Sequence, residues 1–121
     1  MVNGVDIVQI SRIQKALEKN REGFLKRIFT EKEIEYIKKR RYNPKTIAGL
    51  FAAKEAISKA LGTGIGEVGW KDMEVGHTDK GKPIVILSEK IQPLLKELSI
   101  GRMDLSISHD GDYAIAFVIG Y

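Results

Sequence analysis

Hydrophobic and polar positions change their spacing several times along this chain, and each change marks an element. "VNGVDIVQI" (Val2 to Ile10) is β-branched and partly alternating, which predicts a strand interrupted by Asp6. Ser11 stands where a cap belongs, ahead of "RIQKALEKN", which places Ile13, Ala16 and Leu17 on one helical face. "GFLKRIF" resumes the apolar spacing from Gly23. Thr30 and Glu33 form a T-x-x-E capping box before "IEYIKKRR", whose cations Lys38 to Arg41 suit a helix C-terminus. Asn43-Pro44 opens another helix, with Asn43 as cap and Pro44 at its first position. That helix, expected to be the longest, runs to Leu61, and Gly62 is placed to end it.

Beyond Gly66 the period shortens. "VGWKDMEV" alternates and predicts a strand, "GHTDKGKP" a turn, and "IVIL" the returning strand of a hairpin. Ser88 begins a short helix, "SEKIQPLLKELS", with Pro93 inside it. "MDLSISHDGDYAIAFVIG" reads as two strands around an Asp110-Gly111 turn. The order β, several helices, ββ, α, ββ predicts an α+β fold with a mostly antiparallel sheet packed against helices. No repeat, low-complexity segment or linker divides the chain, so residues 1–121 are read as one domain.

Composition narrows the classes. At 121 residues, 43% hydrophobic and 30% charged, the chain fits one globular domain with its own core. It has no cysteine, which removes disulfides and thiolate metal sites and fits a cytoplasmic setting. No signal-peptide pattern is visible, and no apolar run reaches the ~20 residues of a membrane helix. The net charge of +4 favours anionic partners. Much of it lies on Arg12, Lys15, Lys19, Arg21, Lys26 and Arg27, either a solvated face or a dock for an acidic helix. Aromatics are sparse there and no nucleic-acid-binding signature occurs, so nucleic acid is not the expected partner.

The stretch "FAAKEAISKALGTGIG" (Phe51 to Gly66) concentrates the candidate chemistry. Glu55 and Lys59 are four residues apart and share a face, as a surface ion pair would. Their helix is otherwise mostly apolar and alanine-rich, which favours a cleft. Asp6 is out of place in a strand; it either points to solvent or ligates a metal. Two carboxylates without cysteine or paired histidines suit a hard cation such as Mg²⁺, which takes one or two protein carboxylates together with waters and phosphate oxygens. Gly62, Gly64 and Gly66 either cap the helix or cradle a phosphate through backbone N–H groups. His109 ends a strand and faces opposite to Ser106 and Ser108. No nucleophile elbow supports a Ser-His-Asp triad. His77 sits in a turn and is expected to be exposed. Lys80 and Lys82 in "DKGKP" form an ordinary turn or meet a phosphate.

Taken together, "GVDIVQISRI", "FAAKEAISKALGTGIG", "DKGKP" and "LSISHDGDYAIA" resemble the holo-[acyl-carrier-protein] synthase family, the small 4′-phosphopantetheinyl transferases, in order and over essentially the whole chain. Members commonly read G-x-G-x-D-I in the first strand. This chain has "VNGVDI", keeping Gly4 and the aspartate. The resemblance implies transfer of 4′-phosphopantetheine from coenzyme A to a serine of apo-acyl carrier protein, with Mg²⁺ as cofactor. It also implies a homotrimer binding coenzyme A between subunits. In this reading Asp6 and Glu55 hold the metal, and Lys59 lies near the pyrophosphate and joins them in catalysis. Gly62, Gly64, Lys82, Pro83 and His109 contact coenzyme A, while Arg12, Arg21 and Lys26 face the acidic carrier protein. The serine proton passes to Glu55 or to a metal-bound water. Two other readings share part of the pattern: a basic docking module without catalysis, and a Mg²⁺-dependent phosphoesterase.

Overall fold

A computed structural model describes all 121 residues. In chain order the elements are β1 (Val2–Gln9), α1 (Ile10–Ile28), α2 (Glu31–Lys39), α3 (Pro44–Leu61), β2 (Met73–His77), β3 (Pro83–Leu87), α4 (Gln92–Glu97), β4 (Met103–Asp110) and β5 (Tyr113–Gly120). The fold is α+β. Strands β1, β5 and β4 form an antiparallel sheet with β5 at its centre, and β2 and β3 form a separate antiparallel hairpin.

Helix α3 is the spine of the core. Asn43 caps it by accepting a hydrogen bond from the Lys45 N–H at 3.0 Å, with Pro44 in the first turn. It buries Ala52, Ala53, Ala56 and Ile57 against Ala114, Ala116 and Val118 on the inner face of β5. Small residues on both sides let helix and sheet approach closely. The closest approach is to β1: a Cβ on Gly4 would stand 2.0 Å from the Ala56 carbonyl oxygen, so only glycine fits there. Ile28 of α1, Ile37 of α2 and Phe29 between the two helices close the core, each fully buried and worth about 1.5–3 kcal/mol of apolar transfer.

Four local expectations change. Ser11 does not cap α1. The helix begins at Ile10, and Asp112 in the β4–β5 turn accepts from the Ser11 N–H at 3.0 Å and from the Ser11 hydroxyl at 2.8 Å. A carboxylate 101 residues away outcompetes the local hydroxyl for the free N–H groups. Helix α1, not α3, is the longer, with 19 residues against 18, although Asn20 breaks it with non-helical φ/ψ and recaps it through the Gly23 N–H at 3.1 Å. "VGWKDMEV" is only half strand: Trp70–Asp72 form a 3₁₀ turn held by Asp72 accepting from the Gly69 N–H, and β2 starts at Met73. The Ser88 segment splits into a 3₁₀ turn, Glu89–Ile91, and α4, with Pro93 in the first turn of α4, where its missing N–H is harmless.

A candidate active site beside helix α3

Strand alternation puts Gly4, Asp6 and Val8 on the face of β1 that meets α3. Because Gly4 lets the strand lie against the helix at Ala56 and Ala60, Asp6 is delivered to the turn that carries Glu55 and Lys59. The Lys59 ammonium donates to the Val5 carbonyl at 3.0 Å and to Asp6 Oδ1 at 3.1 Å. The ion pair of Lys59 is thus with the strand, not with Glu55 one turn away. Glu55 and Asp6 line one cavity of about 360 Å³, together with Arg12, Gln9 and an apolar wall that includes Ile13, Phe24 and Phe51. Burial pushes the Glu55 carboxyl above the usual carboxylate range; the Asp6 charge adds to this, and Lys59 opposes it.

No group of three or more His, Cys, Asp and Glu side chains could enclose a metal by itself. Two carboxylates lining one open cavity, with burial and the Asp6 charge raising the Glu55 pKa, are instead a donor set suited to a hard cation sharing its remaining positions with water and phosphate.

On the opposite flank of α3 lies a second cavity of about 260 Å³. Its lining includes Lys45, Thr46 and Gly49 of α3, Gly81 of the β2–β3 turn, Pro83 at the start of β3, and His109 of β4. Arg40, Tyr36 and His77 complete it. His77 is not a free turn residue: it ends β2 and stacks on Tyr36, with centroids 4.0 Å apart and planes at 4°. Arg40 lies over the Tyr36 ring, 4.7 Å from its centroid. Burial and the Arg40 charge hold the His77 pKa below its usual value. The sequence reading missed Arg40, Tyr36 and Lys45 as cavity residues, because the turn after α2 brings them to His109 only in the folded chain.

The other predicted positions are dispersed. Lys82 does not line either cavity; its N–H donates to the Thr78 hydroxyl at 3.0 Å and fixes the turn. Gly62 has φ 78°, and its N–H and that of Gly64 bond to the carbonyls of Lys59 and Ser58, so these donors close the helix. Arg21 stacks on Tyr42 at 3.9 Å, and Lys26 borders an opening beside Phe29 and Lys71. Only Arg12 of the three basic positions lines the carboxylate cavity.

One buried feature escaped the sequence. Lys54, wholly buried, pairs with Glu33 at 2.6 Å and donates to the Trp70 carbonyl at 2.9 Å. Burial lowers the Lys54 pKa, opposed by the Glu33 charge and hydrogen bond. The available signal was spacing: Lys54 follows Leu50 by four residues and precedes Ile57 by three, on a face that is buried throughout.

Residues 3–118 match the family model of the 4′-phosphopantetheinyl transferase superfamily. A holo-[acyl-carrier-protein] synthase of Clostridium botulinum (strain Alaska E43 / Type E3) is 52% identical over 116 residues, covering 96% of this chain and 93% of the relative. The synthase of Thermoanaerobacter sp. (strain X514) is 49% identical over 96% of this chain and 83% of its own length. Among solved structures, the Helicobacter pylori synthase in complex with coenzyme A superposes with a TM-score of 0.87 at 38% identity, covering 98% of this chain and 99% of that one. The Neisseria meningitidis enzyme gives a TM-score of 0.90 at 35% identity, over 100% and 99%. These matches make the chain a transferase that belongs to the 4′-phosphopantetheinyl transferase superfamily, among its holo-[acyl-carrier-protein] synthases. Its chemistry is accordingly the transfer of phosphopantetheine to an acyl carrier protein.

Proposed function

We propose that the chain takes 4′-phosphopantetheine from coenzyme A and attaches it to a serine hydroxyl of apo-acyl carrier protein in a Mg²⁺-dependent reaction, serving fatty acid biosynthesis in the cytoplasm. The observation that carries this reading is the convergence of Asp6, Glu55 and Lys59 on one flank of α3. Asp6 and Glu55 are the residues to hold the cation, which when bound would neutralise charge on the pyrophosphate. The serine oxygen forms a bond to the β-phosphorus, and the bond from that phosphorus to the bridging oxygen breaks, releasing adenosine 3′,5′-bisphosphate. Glu55 takes the proton from the serine hydroxyl directly or across one water. Lys59 is half exposed, so it can exchange a strand hydrogen bond for an oxygen of the departing phosphate.

The nucleotide end of coenzyme A is assigned to the second cavity, where Pro83 and His109 meet the cations of Arg40 and Lys45. Gly62, Gly64 and Lys82 are proposed as further coenzyme A contacts, in turns fixed by their own N–H hydrogen bonds. Arg12, Arg21 and Lys26 on and after the first turns of α1 face an acidic carrier protein.

The two cavities lie on opposite flanks of α3 and share no lining residue. One donor molecule therefore reaches both kinds of residue most simply where two copies of the chain meet. The outer face of the main sheet supports assembly: Val5, Ile7, Ile115 and Phe117 stand side by side with Ile7 62% exposed. A homotrimer joined through this face is the proposed assembly.

The test is an intact-mass measurement on apo-acyl carrier protein after incubation with the purified protein, coenzyme A and Mg²⁺. A mass gain of one phosphopantetheine group is expected, and it should vanish with a chelator. Coenzyme A hydrolysis without carrier modification would instead support a phosphoesterase.

A further inference from the structure

We propose that the buried Glu33–Lys54 pair is a positioning device for the catalytic flank of α3, holding Glu55 and the aromatic wall of its cavity in register; this rests on the transferase reading of Glu55. A fold does not require charge here, since an apolar pair of similar volume is often as stable or more so than a buried ion pair. The pair does supply directional ties to four separate segments. One Glu33 oxygen accepts from the Thr30 N–H at 2.9 Å and from Lys54, and the other accepts from the Val75 N–H at 2.8 Å. Lys54 also donates to the Trp70 carbonyl at 2.9 Å. The start of α2, the middle of α3, strand β2 and the Trp70 turn are thereby joined at one point. No buried side-chain nitrogen or oxygen is left without a partner.

That point is one residue from Glu55. A helix held at Lys54 is fixed in both rotation and axial position at the next residue, whose side chain projects about 100° further round. The same node acts on the cavity wall. Trp70 packs on Phe51 at 5.1 Å between centroids, and Phe51 stacks on Phe24 at 6.3 Å. Phe24 and Phe51 both line the carboxylate cavity. Lys54 thus reaches the site from two sides: along the backbone to Glu55, and through Trp70 to the surface on which a substrate would lie. Neither Lys54 nor Glu33 lines the cavity, so both act through other residues.

The experiment compares wild type with Glu33→Gln/Lys54→Met, which removes both charges together, and with Glu33→Asp, which keeps both and shortens the arm by one methylene. Melting, steady-state kinetics and Mn²⁺ affinity of the metal-loaded but substrate-free protein are measured on each. A positioning role predicts at least one folded variant with a kcat lower by on the order of 100-fold. It also predicts KM for coenzyme A within about threefold and weakened Mn²⁺ binding, in line with the 10- to 100-fold losses seen when supporting partners of metal sites are removed. Folded variants with wild-type kcat and Mn²⁺ affinity would overturn the proposal, as would failure of both variants to fold, which would leave the pair a folding element only. A wild-type protein that transfers nothing would reject the transferase reading itself and the proposal with it.

Discussion

Glu55 and Asp6 are two acids sharing one cavity, and burial of Glu55, with the Asp6 charge added to it, makes ionisation of Glu55 costly. Because the Glu55 pKa is raised in the folded chain, its favourable contribution to folding is fully present below the ordinary glutamate range and is lost as pH rises through the raised value. At neutral pH the ionised carboxylate therefore opposes folding. Metal-free Glu55→Gln should melt a few degrees above wild type at pH 7, and the gap should close on acidification below the ordinary glutamate range. The same variant should lose phosphopantetheine transfer. Equal melting at both pH values would show that the carboxylate is not held at a cost. The residues of this cavity were legible because Asp6 in a strand and Glu55 with Lys59 on an alanine-rich helix break the local pattern. Which charges would pair was not legible: Lys59 chooses Asp6, 53 positions away, through a strand–helix contact. Lys54, adjacent to Glu55 in sequence, faces the opposite environment, and only the helical spacing hints at it.

At the scale of elements, the site depends on how closely β1 lies on α3. Gly4 sets that distance, and Ala56 and Ala60 beneath it each follow a functional residue of α3. Gly4→Ala would drive a Cβ into the helix backbone, so strand or helix must retreat. Overpacking of this kind costs about 1–3 kcal/mol, which urea unfolding would measure. Under conditions where the variant remains folded, its transfer rate should still fall, because Asp6 backs away from Glu55. A stable variant with full activity would mean that this approach does not set the site. Hairpin and helix signals located most elements, since Asp110-Gly111, Asn43-Pro44 and the Thr30–Glu33 box are local chemistry. The elements misplaced at their ends were decided by side-chain hydrogen bonds that apolar spacing does not reveal. Asp112 took over the cap of α1, and Asp72 folded Trp70 into a turn instead of a strand. The division into two sheets was likewise invisible, because strand alternation says which face is buried and not which edge is paired.

For the whole molecule, the decisive feature is that α3 separates the carboxylate cavity from the one containing His109. If sites form where neighbouring copies meet, a chain crippled in one cavity and a chain crippled in the other can complement each other. Glu55→Gln and His109→Ala should each be poorly active alone. Co-refolded at equal amounts, they should form mixed rings. In any ring of three that contains both chains, one junction joins an intact Glu55 of one copy to an intact His109 of the next. Random assembly makes three-quarters of the rings mixed, so about a quarter of wild-type activity should return in a closed three-fold ring. Sites contained within one chain would give no recovery beyond the sum of the separate variants. Placing a charge on the outer sheet face, as in Phe117→Asp carried by both chains, should abolish the recovery while leaving each chain folded, because that side chain is exposed in the isolated copy, lines neither cavity and would be buried only in the assembly.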